Sequence, residues 1–142
     1  MLALVSRGLV AVALICLPLR TFAGDAVVAA QTVISAQIKA FLDGDVQAAY
    51  GFASPGIKAQ FPDPERFFEM VKRSYTPVYK VGNFAFGRSK VVADGAHAFQ
   101  EVLITGADGK DWAAVYDLER QSDGRYAING VQLIADTTSR GI

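Results

Sequence analysis

The sequence predicts an α+β domain in which three N-terminal helices pack on a curved four-stranded antiparallel meander. Three observations predict it. Apolar residues recur at helical spacing up to about residue 75. Beyond Pro77 the chain is rich in Val, Ile, Phe and Tyr, as strands are. Three turn signals, Asp94-Gly95, Asp108-Gly109 and Asp123-Gly124, divide that second half into hairpins. The corner between the halves is residues 53–79, punctuated by Pro55, Pro62, Pro64 and Pro77.

Length and composition agree with one globular domain. The chain has 142 residues, 51% hydrophobic and 20% charged. Bases and acids balance at 14 each with no basic run, so a nucleic-acid partner is not expected.

Residues 1–23 read as a secretory signal peptide. Arg7 precedes an apolar run from Gly8 to Leu19, and Thr21-Phe22-Ala23 ends it on a small residue. The run is shorter than the ~20 residues of a spanning helix, and Pro18 and Arg20 close it, so no stable membrane anchor is expected after cleavage. The expected destination is the periplasm of a bacterium. Removing the segment removes Arg7, Arg20 and Cys16, the one cysteine. The remaining chain has no thiol for catalysis, disulfide bonding or metal ligation, and its stability must come from a core.

Residues 24–31 are small and weakly patterned and read as a flexible tail. The domain proper is expected over 32–136. A first helix starts at Thr32 as N-cap and buries Ile34, Ile38, Phe41 and Leu42. Gly44 stops it, and Asp45 caps a second helix over 46–52. Ser54-Pro55 ends that helix. Asp63, followed by Pro64 at the first helical position, starts a third over 64–74, with Phe67, Met70, Val71 and Tyr75 on one face. Strands follow at about 78–92, 97–106, 111–120 and 125–135, with Gly82 and Gly87 as bend or bulge points. Residues 137–142 read as a loose end.

A two-residue turn at Asp108-Gly109 would set Gln100 opposite Asp117, Val102 opposite Val115 and Thr105 opposite Trp112. A bulged three-residue loop at Asp123-Gly124 would set Asn129 beside Asp117. One face then holds Val102, Ile104, Ala113, Val115, Val131 and Leu133, with Gln100, Asp117 and Asn129 at one end.

This pattern resembles the nuclear-transport-factor-2-like superfamily, a cone-shaped α+β fold of the cystatin-like kind. More specifically, residues 33–134 resemble a bacterial family of exported proteins, domain of unknown function 4864. The residues that carry this are Gln37, Ala40-Phe41, Gly44-Asp45, Ala53-Ser54-Pro55, Phe61, Phe67, Met70-Val71, Tyr75, Pro77-Val78-Tyr79, Trp112, Tyr116, Asp123-Gly124, Ile128 and Gly130. The family pattern has a cysteine after the late glycine and a tryptophan near Tyr126. Val131 and Tyr126 stand there in this chain, which removes any thiol role.

The resemblance implies a pocket between helices and concave sheet, with Phe61, Phe67, Met70, Val71 and Tyr75 plugging the wide end. Enzymes of the superfamily place an acid/base and a hydrogen-bond donor in that pocket. Asp117, between Tyr116 and Leu118 on a central strand, is the candidate catalytic carboxyl. Tyr50, Tyr79 and Tyr116 are candidate donors, and Gln100 and Asn129 candidate pocket or binding residues. That set would make an isomerase or dehydratase of the ketosteroid-isomerase type. The competing reading places Asp117 on the solvent face or pairs it with Asn129 or Arg120 as a strand neighbour. His97 is the one histidine and follows a turn, so neither a triad nor a metal site can be argued from it. Trp112 reads as a core or rim residue, and no glycine-rich phosphate loop is present. The expectation is therefore a non-catalytic exported module without cofactor or metal. It binds a small ligand or a protein, with a homodimer through the exposed sheet face as one form.

Overall fold

The computed structural model describes residues 22–135. The expected signal segment, apart from its last two residues, and the expected loose C-terminus lie outside the described residues. Five helices precede four strands: α1 (Phe22–Leu42), α2 (Val46–Gly51), α3 (Pro55–Gln60), α4 (Pro64–Ser74), α5 (Thr76–Tyr79), β1 (Val81–Val92), β2 (His97–Gly106), β3 (Asp111–Arg120) and β4 (Tyr126–Ala135). The strands form one open antiparallel sheet in the order β1-β2-β3-β4. The α+β plan and the meander hold. The count of three helices does not.

The largest difference is in α1. It runs through residues 24–31, expected to be a tail, and Thr32 lies inside it with Oγ1 donating to Val28 O at 2.8 Å. Ala26 and Ala30 continue the buried stripe of Ile34 and Ile38 at intervals of four, and all four are at most 5% exposed. Small side chains give a weak pattern in sequence, yet they let the helix approach the sheet closely.

Local chemistry explains the other helix ends. Gly44 takes φ +68°, and Asp45 Oδ1 accepts from Ala48 N at 3.1 Å, which starts α2. Asp63 caps α4 by accepting from Glu65 N at 3.0 Å. Ser54, expected to end a helix, instead starts one. Its Oγ accepts from Ile57 N at 3.2 Å, and Pro55 occupies the first turn of α3. Pro77 likewise begins the single turn α5, so β1 starts at Val81 and not at residue 78.

Registers decide which residues share a face. Gly82 and Gly87 fall at the two irregularities of β1, as expected. The β2–β3 hairpin closes with Gly106 N donating to Lys110 O, so its loop has three residues and Gly109 takes φ +78°. The expected two-residue turn is therefore corrected, and every pair moves by one: Gln100 faces Tyr116, Val102 faces Ala114 and Ile104 faces Trp112. The β3–β4 loop is also a three-residue one, as expected, closed by Gln121 N donating to Arg125 O. A bulge at Asn129 then shifts the rest, so that Asp117 faces Gly130 and Tyr116 faces Val131.

The core-facing side of the sheet thus carries Ala98, Gln100, Val102, Ile104, Ala114, Tyr116 and Leu118. Val115 and Ala113, expected on the core face, lie on the other side with Asp117. Helices cover the core face. Phe41 meets Phe68 and Phe67 at centroid distances of 5.6 and 6.3 Å, which joins α1 to α4.

Candidate functional site

A cleft of about 270 Å³ opens between α1, the α3–α4 segment and β4. Phe61, Phe67, Met70, Val71 and Tyr75, the residues expected to plug this end, line it. Phe67 and Val71 are buried, whereas Phe61, Met70 and Tyr75 are half-buried, so the plug leaves a concavity. Ile57 of α3 and Val131 of β4 form facing walls, and no lining residue is charged.

Gln37 is the polar residue of this wall that lies deepest, at 3% exposure. It projects from the apolar stripe of α1, and its Nε2 donates to Ala49 O at 3.1 Å. That bond orients the amide, so Oε1 is left as an acceptor with no protein donor among the described residues. The cleft is therefore mostly apolar and uncharged, with Gln37 as its deep oriented amide and Gln60 and Tyr75 as further polar lining residues, an arrangement that suits a neutral ligand.

The candidate catalytic and binding residues named from sequence, Tyr50, Tyr79, Gln100, Tyr116, Asp117 and Asn129, lie elsewhere, and none of them lines the cleft. Tyr50 donates its hydroxyl to Phe61 O at 2.7 Å and holds the turn between α3 and α4. Tyr79 packs edge-on against Phe68 and Phe41. Gln100 is buried at the β1 bulge, where Nε2 donates to Glu101 O at 2.8 Å and to Gly87 O and Arg88 O at 3.3 Å. Its Oε1 accepts from Gln31 of α1 at 3.1 Å. This is the structural work of satisfying a bulged backbone. Tyr116 is wholly buried, and its hydroxyl has no hydrogen-bond partner among the described residues. Burial pushes that hydroxyl's pKa well above the ordinary tyrosine value.

Asp117 lies on the outer sheet face, opposite to Tyr116. Its Oδ1 is 3.0 Å from His97 Nδ1, and its Oδ2 accepts from Asn129 Nδ2 at 3.3 Å. The contact with Asn129 was expected; the one with His97 follows from a register that sequence did not reveal. An isomerase would need this carboxyl and a tyrosine hydroxyl in one pocket, and the fold sets Asp117 and Tyr116 on opposite faces. His97 stacks on Phe99 and is over a third exposed, and Trp112 packs half-buried against the core. Among the described residues no group of three His, Cys, Asp or Glu side chains could hold a metal ion.

Gln37 in the cleft and Ser54 beside it were not given these roles from sequence. Gln37 carries a usable signal, a long polar side chain within the stripe of Ile34, Ile38 and Phe41. Ser54 carries another, a serine directly before proline with the spacing of a helix start.

Fold and cleft together define a small α+β domain with a mostly apolar concavity between its helices and sheet. Residues 25–141 match the family model described as domain of unknown function (DUF4864), and the chain belongs to that family. No curated relative and no solved structure matches the chain.

Proposed function

We propose that this chain is a non-catalytic, exported binding domain of the cone type that takes a small uncharged ligand with a hydrogen-bond donor. The observation that carries this reading is the uncharged cleft with an oriented, deeply buried acceptor, Gln37 Oε1. A charged ligand would lose its hydration there with no counter-charge to replace it. A neutral donor group gains a bond to Gln37 while its apolar body contacts Phe61, Met70 and Val131. At about 30 Å³ per water-sized group the volume holds roughly nine heavy atoms, the size of a hydroxylated ring or an indole. Export is supported by the apolar run before Pro18 and the small residue Ala23. The cone assignment is supported by helices that cover one face of a four-stranded meander.

Phenol and indole are the neutral probes, and benzoate and benzylamine the charged controls. In heteronuclear NMR titrations the neutral pair should give saturable shifts at the Gln37 side-chain amide, Ile57 and Val131. The charged pair should not. Absence of saturable shifts at those three residues with both neutral probes overturns the reading.

A second reading concerns a protein partner, a second copy of this chain. Leu103, Ala113 and Ile134 stand in one cross-strand row on the outer face, with Leu103 45% and Ile134 48% exposed. Such a row is self-complementary when two sheets pack face to face. Sedimentation equilibrium at micromolar concentration should give a dimer mass; a monomer mass throughout excludes this reading.

A further inference from the structure

We infer that Asp117 is a positioning residue that latches α3, one wall of the cleft, through Asn129 and Ser54. The inference rests on the reading of the cleft as a ligand site. Four side chains form one hydrogen-bonded chain from the outer sheet face to the first turn of α3. His97 Nδ1 lies 3.0 Å from Asp117 Oδ1; Asn129 Nδ2 donates to Asp117 Oδ2 at 3.3 Å; Ser54 Oγ donates to Asn129 Oδ1 at 2.8 Å; Ile57 N donates to Ser54 Oγ at 3.2 Å.

The direction of every bond follows from Asp117. A carboxylate only accepts, so the Asn129 amide must turn its NH₂ toward it and its carbonyl toward Ser54. The one proton of the Ser54 hydroxyl then goes to Asn129 Oδ1. A lone pair remains for Ile57 N, the bond that caps α3. His97 presents its Nδ1 proton to the other carboxylate oxygen and holds Asp117 in place.

This latch matters because it fixes the start of α3, whose far end is held by the Tyr50 hydroxyl on Phe61 O at 2.7 Å. None of its residues is buried, whereas Ser54 just before it is 0% exposed. The backbone before the helix is secured to β4, with Ile128 N donating to Phe52 O and Ser54 N to Ile128 O, both at 2.8 Å. The helix itself has Ile57 and Gln60 on the cleft, and Ser54 holds its first turn twice, Oγ accepting from Ile57 N at 3.2 Å and the carbonyl accepting from Lys58 N at 3.0 Å. A short helix with few buried contacts belongs to the low-stability end of a fold. The bulge at Asn129 brings the amide within reach of both Asp117 and Ser54.

The test is amide hydrogen exchange on the full chain with Asp117→Val and Asn129→Ala. Valine suits a half-exposed strand position and accepts no hydrogen bond, so it removes the latch without threatening the fold. Both variants should raise exchange at the amides of residues 57–61 by about tenfold, the factor for one hydrogen bond of ordinary net strength. Exchange in β2 and β3 should stay unchanged, and the phenol titration should weaken in parallel. Unchanged α3 exchange in Asp117→Val overturns the inference, and so does a rise spread equally over β2 and β3. If neither phenol nor indole binds the unaltered chain, the ligand reading fails while the exchange result still decides the latch.

Discussion

Replacing Ile34 with alanine is expected to lower the free energy of unfolding by about 2–5 kcal/mol, the range for truncating a buried branched side chain. Ile34 is 0% exposed at the middle of α1, where the helix crosses the sheet. The loss has two parts, the transfer free energy of the deleted carbons and the cavity that the rigid sheet cannot collapse to fill. No disulfide offsets it, because the chain contains a single cysteine. For a domain whose whole stability is on the order of 5–15 kcal/mol, such a loss is a large share. Urea unfolding followed by circular dichroism should show a lower midpoint with an unchanged slope. Val28→Ala is the contrasting variant. Val28 is on the same helix but 63% exposed, and its replacement should stay within about 0.5 kcal/mol of the parent. Equal effects at the two positions would mean that α1 does not pack as described.

Tyr116→Phe is expected to act in the opposite direction and to stabilise the protein by about 1–3 kcal/mol, the cost of a buried unsatisfied polar group. The ring sits on the core face of β3 at 0% exposure, and its hydroxyl finds no partner among the described residues. Phenylalanine keeps the packing and removes the stranded oxygen. A pH signature accompanies it. Burial raises the folded-state pKa of Tyr116 above that of the unfolded chain, about 10. Above that pH the unfolded state binds fewer protons than the folded state, so stability falls as pH rises. Below pH 10 Tyr116 adds no pH dependence, and above it ionisation of the unfolded chain draws the equilibrium toward unfolding. The parent should therefore lose stability above about pH 10 more steeply than Tyr116→Phe does. A lower melting temperature for the variant at neutral pH would show that the hydroxyl has a partner worth more than its burial costs.

The two effects contrast two residues of one core, Ile34 on α1 and Tyr116 on β3. Ile34 fills volume, whereas Tyr116 fills volume with an oxygen that the register leaves opposite Gln100 and Val131. Gln100 cannot answer it, because its own amide is committed to Gln31 and to the carbonyls of the β1 bulge.

The sequence by itself determined the α+β plan, the extents of α4, β2 and β3, the bulge points of β1 and the family. Each of these depends on interactions over a few residues. Asp63 and Pro64 start α4 whatever packs on it, and Asp-Gly pairs turn the chain whatever the strands face. Only the tertiary structure decided the rest. The first ten residues of α1 contribute only small apolar positions to its stripe, Ala26 and Ala30. Such methyls show little periodicity until a sheet lies beneath them. Ser54 could end one helix or begin the next, and the choice was made by β4, whose Ile128 O accepts from Ser54 N. The site depended most on register. One extra residue in the β2–β3 loop moves each pair by one and, with period-two strands, carries a side chain from one face to the other. That single residue put Asp117 on the outside beside His97 and Tyr116 inside without a partner. The deepest polar group of the cleft is Gln37, on the helix the sequence placed from Thr32, and its burial was decided by the packing of that helix on the sheet.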